Sequence, residues 1–543
     1  MFVATVSQFV IQHEQRSAIH RKIAGFAWTD RVVFNSSYYV PENILSRLKI
    51  SRRAFLGGAA STLSWAAFPY MAVAATNVVR VEWQQYKQTP QYASFLNCVR
   101  SMMANTNAND PNSWQYWTNV HANYCPHRSP YFLAWHRGYL YYLEQQMKRI
   151  TGDANFTLPY WDWFKNPHIP SEFTDNASGN PLYCPRLNTN VYSALDLSPF
   201  SYSVVNFQRG TANSFEEKFE SAPHNPVHNI IGNAMATMQS PRDPIFYLHH
   251  ANVDRLWHAW ALPDGRTMPP PSDPYWAGTF TYAPGLTINK EQTYSNRSRL
   301  GYDYADTTRP TTMPPSAQRG GIIRVQAQVA QIRARPPIAS FAATAARNVG
   351  NGRRSIGGIK GLTLREASVS ARVIGEANST KPLQDLLSTT AESFDAASRG
   401  ASNAASPAAN KSSQYKSVKI VLDDVMLTTA GAAGGYFYNV YLNLPDGVDI
   451  DEVRSKHFLG TVGAFEVAGA AHHGMVTLEF PATAALLKMG GPAGREYAVS
   501  FVRVNGGAAP KGDVMSVGEV RVELSTEAPY IVSTSVRAPA GTY

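Results

Sequence analysis

At 543 residues the chain is longer than one hydrophobic core usually serves, so two or more domains are expected. Its 44% apolar and 16% charged composition is ordinary for a globular protein, and 12% aromatic content suits a large ring-lined core or a site for flat molecules. The formal charge is +10, but residues 1–75 hold eight Lys or Arg against three Asp or Glu. Half the excess is therefore confined to that stretch, and the rest is too thinly spread to point to a nucleic-acid partner.

Within residues 1–75, Ser51-Arg52-Arg53-Ala54-Phe55-Leu56 resembles a twin-arginine export signature. A modest apolar run from Leu56 to Ala75 follows, and Ala72-Val73-Ala74 offers a small-x-small cleavage site. The run is too polar for a membrane span. Residues 1–75 are thus expected to be a leader. The mature protein is expected to be exported, to a periplasm or outside the cell, without a membrane anchor.

Residues 76–305 are dense in Trp, Tyr and His. Tyr131 to Ile150 and Asp243 to Leu262 repeat apolar residues three and four apart, predicting helices, with Pro130 and Pro244 where helix starts tolerate proline. Asn166 to Ser214 reads as a long loop. Residues 306–360 read as a Pro-, Ala- and Arg-rich linker. Residues 361–543 are expected to form a β-sandwich or barrel, with strands at Ser417–Leu427, Tyr436–Leu444, Met475–Phe480, Tyr497–Val504 and Gly518–Leu524. The Ala/Ser-rich stretch 385–415 reads as a loop inside it. The three cysteines, Cys98, Cys125 and Cys184, form no CxxC pair and are too few for a disulfide-built fold. Pairing of Cys98 with Cys184 is left open.

Nine of the fourteen histidines fall between positions 121 and 258. His224 and His228, four apart, share one helix face. His250, on the second predicted helix, completes a triplet. His121, His127 and His136 form another. Three neutral imidazoles suit Cu, Zn, Fe or Ni. A hydrolytic two-metal site would normally bring bridging carboxylates, and neither group has an Asp or Glu at ligand spacing, which favours a pair of copper ions. A single histidine such as His168 or His258 is better explained as ordinary core. Six in two triplets are not.

The sequences His121-Ala-Asn-Tyr-Cys125-Pro-His127 with Phe132-Leu-Ala-Trp135-His136-Arg137, and His224-Asn225-Pro-Val-His228 with Asp243-Pro-Ile-Phe246-Tyr-Leu-His249-His250-Ala-Asn252-Val-Asp254-Arg255-Leu-Trp257, resemble the two copper motifs of the tyrosinase and polyphenol oxidase (type-3 dicopper) family. The nine-residue step from His127 to His136 and the 22-residue step from His228 to His250 also match. Leu300-Gly301-Tyr302-Asp303-Tyr304 resembles the tyrosine motif that closes the catalytic domain of plant-type members. The resemblance implies a mainly α catalytic domain, a four-helix bundle holding two copper ions, with a C-terminal β-domain that caps the site in latent forms.

It further implies His121, His127, His136, His224, His228 and His250 as ligands, with His249 outside the set. Cys125 would be joined to His127 by a thioether. Asp254 and Arg137 would fix the ligand helices, and Phe246 would pack near the site. Glu220 and Asn225 would hold a water that takes the proton of a monophenol, with Glu216 and Glu217 as alternatives for the carboxylate. Thr237, where some members carry a bulky gate, would leave the second copper open. The expected activity is O2-dependent hydroxylation of monophenols and oxidation of o-diphenols to o-quinones. The other readings are a catechol or o-aminophenol oxidase without hydroxylation, a haemocyanin-like oxygen carrier and, less favoured, a zinc hydrolase. The expected partners are phenolic small molecules and O2, with a homo-oligomer left open.

Overall fold

The computed structural model describes residues 78–127, 129–262, 266–315, 335–398, 413–445, 456–471, 476–491 and 494–528. Contacts divide the chain into Met1–Ser64 and Trp65–Tyr543, and every described residue belongs to the second unit. The export signature and cleavage site lie outside the described residues.

The helical half is built on α1 (Gln91–Ala104), α2 (Trp114–Tyr124), α3 (Phe132–Thr151), α4 (Phe215–Phe219), α5 (Asn225–Ile231) and α6 (Ile245–Ala261). Ser113 caps α2 by accepting from the Gln115 N–H (3.2 Å). Helix α3 ends on Gly152 at φ 69°, a left-handed turn that costs glycine little, with Lys148 and Arg149 in its last turn, where the helix dipole favours cations. Pro244 precedes α6, where no helical N–H is lost. Every residue of α6 from Ile245 to Trp260 is buried, so this helix runs through the core and packs against α3.

A core helix carrying Asp254 and Arg255 must pair both charges. Asp254 Oδ1 accepts from Arg137 Nε of α3 (2.6 Å), and its Oδ2 accepts from the hydroxyls of Tyr302 and Tyr304 (2.6 Å each). Arg255 meets Asp162 (3.2 Å) and reaches the carbonyls of Asp306 (3.5 Å) and Thr308 (3.4 Å). Tyr302 and Tyr304 stand on strand β4 (Tyr302–Tyr304), which pairs in parallel with β1 (Val78–Arg80); β2 (Thr279–Ala283) and β3 (Leu286–Asn289) form a separate hairpin. The tyrosine motif is thus the lock on the charge at the centre of α6.

The β half contains β5 (Ile338–Ala339), β6 (Ala342–Thr344), β7 (Arg347–Gly350), β8 (Arg353–Leu364), β9 (Val369–Ile374), β10 (Ser417–Leu427), β11 (Tyr436–Leu442), β12 (Phe458–Gly463), β13 (Leu478–Pro481), β14 (Glu496–Asn505) and β15 (Met515–Ser525). They form two sheets, β13-β10-β15-β8-β6 with β7 also on β8, and β12-β11-β14-β9-β5. Alternate residues such as Val418, Ile420 and Leu422 fill the space between them with Tyr438, Val440 and Phe501. All of β11 is buried, because its two faces serve different cores. Tyr436, Tyr438, Val440 and Leu442 face the sandwich, while Phe437 joins the core of the helical half, where α5 packs on β11.

Three features depart from the expectations. Strands begin at Ile338, inside the stretch read as linker. The stretch 385–415, read as loop, carries most of helix α7 (Thr380–Ser398) in its described part. Leu383, Leu386 and Leu387, three and four apart, bury one side of α7 against the sandwich, and the Ala/Ser composition masked that short stripe. A further helix, α8 (Ala464–Ala471), follows β12 and had no counterpart among the expected elements.

Candidate metal centre

His121 lies in the last turn of α2 and His136 in the second turn of α3, with His127 on the segment between. His224 ends a widened turn, Glu220–His224, and His228 sits one turn into α5; their ring centroids are 4.7 Å apart. His249 and His250 are on α6. Ligand atoms within 4.8 Å of one another define two groups: His121, Cys125, His127 and His136, and His224, His228, His249 and His250. The groups face each other, with the rings of His136 and His250 stacked at 4.3 Å. Neither contains a carboxylate.

The hydrogen bonds fix which ring nitrogen is bare. His121 Nδ1 lies 3.0 Å from the Met238 carbonyl, His136 Nδ1 2.7 Å from that of Phe132, and His228 Nδ1 2.8 Å from that of Met235. His224 Nδ1 lies 2.8 Å from Asn225 Oδ1. Each partner oxygen only accepts, so each Nδ1 carries the hydrogen and each Nε2 a lone pair. In the second group the Nε2 atoms of His224 and His228 both lie 3.3 Å from His250 Nε2. Burial and neighbouring imidazoles push His136, His224 and His250 far below the usual imidazole range. Burial likewise takes His228 down to about 3. The rings are neutral, and their convergent lone pairs repel unless a cation sits among them. Such an all-imidazole donor set fits copper.

His249 falls within the second group by distance, and its two nitrogens have no hydrogen-bond partner among the described residues; it is His250 whose Nε2 meets both other rings. His168 lies apart, beside Asn190 (3.2 Å), and His258 lies beside Asp303 (3.4 Å). Phe246 packs on the rings of His250 (4.1 Å) and His121 (5.0 Å). Cys125 Sγ lies 3.6 Å from His127 Nε2, and also 3.3 Å from His136 Nε2, a second neighbour that sequence spacing did not reveal. No disulfide joins Cys98, Cys125 and Cys184, so Cys98 and Cys184 are not paired.

The β half covers the second group. Phe465, on α8, stacks on His228 at 4.1 Å and 14°, and stands nearly perpendicular to the ring of His127 (5.2 Å). Thr237 does not leave this face open, because the covering ring comes from the other half of the chain. Asn229, next to His228, holds the cover. Its Oδ1 accepts from the Phe465 N–H (2.8 Å), and its Nδ2 donates to Glu466 (2.7 Å), which also accepts from Thr461 (2.9 Å). Gly463 is needed for this approach, since a Cβ there would lie 2.5 Å from Asn229 Oδ1. Phe465 and Asn229 carried no signal in the sequence, because the contact joins residues 236 positions apart.

Beside the second group lies a cavity of about 50 Å3, lined by Glu220, Asn225, Arg209 and Glu217, and by Gly460 and Thr461 of the β half. That is room for water. Glu220 is buried and ion-paired with Arg209. Asn225 uses its Oδ1 on His224, which leaves its Nδ2 for the cavity. Glu216 does not line it. It is fully buried behind, accepting from the N–H groups of Leu133 (3.3 Å) and Arg209 (3.2 Å).

The family model of the common central domain of tyrosinase matches residues 111–206 and 185–262, which span both histidine groups. The helical half carries a tyrosinase-family domain. Among curated relatives, a tyrosinase, HcTyr1, of Hahella sp. (strain CCB-MM4) is 29% identical over 233 residues, 31% of this chain and 50% of its own length. The latent chloroplastic polyphenol oxidase of Prunus armeniaca is 27% identical over 242 residues, 33% of this chain and 40% of its own. A G-type hemocyanin of Enteroctopus dofleini is 33% identical over 175 residues, 27% of this chain and 6% of its own. The chain thus spans about half or less of the length of these relatives. The solved structure of latent apple tyrosinase overlays with a TM-score of 0.48 at 19% identity, covering 84% of this chain and 99% of that one. Among the described residues, no helix is long and apolar enough to cross a membrane.

Proposed function

We propose that the tyrosinase-family domain is a dicopper phenol oxidase, with His121, His127 and His136 holding one copper and His224, His228 and His250 the other. The observation that carries this reading is the pair of facing, carboxylate-free histidine groups whose Nε2 lone pairs converge. Copper, when bound, supplies the reduction of dioxygen and the transfer of an oxygen atom to an aromatic ring. The protein's own residues do the rest. The Met238, Phe132 and Met235 carbonyls and Asn225 Oδ1 hold four imidazoles in the tautomer that presents Nε2. Phenols are the substrates, because the surface a substrate must meet is a face of imidazole and phenylalanine rings. Phe465 now stacks there as a flat phenol would.

Monophenol hydroxylation needs the phenol ionised, and a phenol of pKa near 10 is ionised to only about one part in a thousand at neutral pH. Glu220 takes that proton, through a water held in the cavity between it and Asn225. Cys125 forms a thioether to the His127 ring. One C–H and one S–H are lost, and dioxygen takes the two electrons and two protons. The β half holds the enzyme latent through Phe465 until cleavage or a detergent-like activator lifts it. Residues 1–75 direct export.

The test is metal content and oxygen uptake with a monophenol and an o-diphenol, before and after limited proteolysis. Two coppers per chain, and turnover that rises on proteolysis, are expected. Zinc at full occupancy in active protein overturns the copper assignment. A specific observation favours a second reading: the Phe465 cover over His228, together with the hemocyanin relative, suits an oxygen carrier. Reversible oxygen binding, with no phenol turnover after the cover is removed, selects that reading.

A further inference from the structure

Histidine ligation does not call for the buried ion pair of Arg209 and Glu220, yet the pair sits at the carboxylate to which the proposed function gives the phenol's proton. Arg209 comes from the loop that precedes α4. Its backbone N–H is caught by Glu216 Oε2 (3.2 Å), while Glu216 Oε1 accepts from the Leu133 N–H (3.3 Å) in the first turn of α3, the helix that carries His136. The loop is therefore pinned to a ligand helix by Glu216, without help from the Arg209 side chain. The guanidinium is aimed at Glu220, not left to swing.

Facing Glu220 are Arg209, Glu217 and, across the cavity, Glu479 of β13; Glu216 lies behind, and Cys125 is felt from the first histidine group. Glu479 is engaged by Lys419 (2.9 Å) and Arg353. Burial works against the charge on Arg209, but the carboxylates of Glu220, Glu217 and Glu216 outweigh it and hold the guanidinium above its usual range. Burial pushes Glu216 up to about 7, against the opposing pull of Arg209 and of the two N–H donors. One buried cation with two buried carboxylates carries least charge when one proton is retained. Glu220 has the guanidinium, whereas Glu216 has only backbone N–H groups, so the retained proton belongs on Glu216.

We infer that Arg209 is a positioning residue that holds the Glu220 carboxylate proton-free toward the cavity and thereby sets how readily the site accepts a proton from a monophenol. This rests on the reading of Glu220 as proton acceptor. The guanidinium keeps the carboxylate available at neutral pH, and it also weakens it as a base. Diphenol oxidation, whose substrate is the better acid and the easier reductant, depends on the pair less.

The experiment uses the full chain, activated by proteolysis, as wild type, Arg209→Gln and Arg209→Lys. In Arg209→Gln the acid limb of kcat/KM for a monophenol is expected to move up by about one pH unit, about a tenfold loss on that limb, while the diphenol profile stays in place. Arg209→Lys is expected to restore most of the wild-type profile. A second readout needs no copper. In metal-free protein, the infrared band of the protonated Glu220 carboxyl, assigned by its loss in Glu220→Gln, should persist to higher pH in Arg209→Gln than in wild type. An unmoved band, or equal losses on both phenols with unchanged profiles, overturns the inference and leaves the dicopper reading intact. A band that moves as expected in a protein that hydroxylates no monophenol supports the role of Arg209 and overturns the hydroxylase reading.

Discussion

His121, His127 and His136 come from two helices and the segment between them, whereas His224 and His228 share one short helix and its entry, with His250 supplied by a helix buried on all sides. In the second group, turn and helix geometry bring three Nε2 atoms together at 3.3 Å contacts. In the first, His127 hangs on a half-buried segment beside Cys125, whose sulfur touches two of the rings. The second group is covered by Phe465, stacked on His228. The contrast is between two surroundings for an imidazole ring. One uses helix register and a cover from another part of the chain. In the other, a neighbouring sulfur lies against two of the rings.

The largest effect should come from the second group. His250→Ala removes the ring that meets both others, and should halve bound copper and abolish phenol oxidation, by metal analysis and oxygen uptake. Full activity in that variant breaks the ligand assignment.

Next is the cover. Asn229→Ala leaves Glu466 short of a donor and the Phe465 N–H short of an acceptor, at about 1–3 kcal/mol for a buried unsatisfied group. Opening should become roughly tenfold more frequent, so diphenol turnover of the uncleaved chain should rise by a similar factor and approach that of the proteolysed form. Unchanged latency means that the β half only stabilises.

Cys125→Ser should act on the first group alone. The wild-type mass should be lower by the two lost hydrogens and Cys125 should resist alkylation after denaturation. The variant should bind its first copper about tenfold more weakly, as supporting residues of metal sites typically do. Ready alkylation of Cys125 in copper-loaded wild type removes the thioether.

The smallest effect concerns Glu216, which ties the Arg209 loop to α3. Its carboxyl is raised in the folded state to about 7, so its contribution to stability is present below the unfolded value near 4.5 and is lost as pH rises through about 7. Glu216→Gln should therefore gain in melting temperature relative to wild type between pH 5 and pH 8. A constant difference across that range would show that Glu216 does not titrate there.

Much of the clustering of the histidines was legible because its signals are local. Histidines four apart share a helix face, and α3 and α6 announce themselves by apolar spacing. The strands at Ser417–Leu427 and Glu496–Asn505 were legible through their β-branched runs. Helix α7 was hidden because three leucines carry its burial amid Ala and Ser. Arg209 and Phe465 were illegible for another reason. Each acts through a partner that only folding supplies, a lone arginine in a loop and a phenylalanine in an Ala/Gly-rich segment. Asn225 was singled out from the sequence, but its use of Oδ1 on His224 required the geometry.

The parallel pairing of β1 with β4 brings the two borders of the helical half side by side, and Arg255 stitches the chain on as far as Thr308. The buried Asp254 draws its two tyrosine donors from the far border, so its Oδ2 loses both hydroxyl donors if the polypeptide stops before them, although Arg137 still pairs its charge. If the β half is removed by proteolysis, as proposed, a cut between Tyr302 and Thr308 strips Asp254 or Arg255 of partners, whereas a cut beyond Thr308 leaves both contacts in place, a roof lifted from a self-closed room.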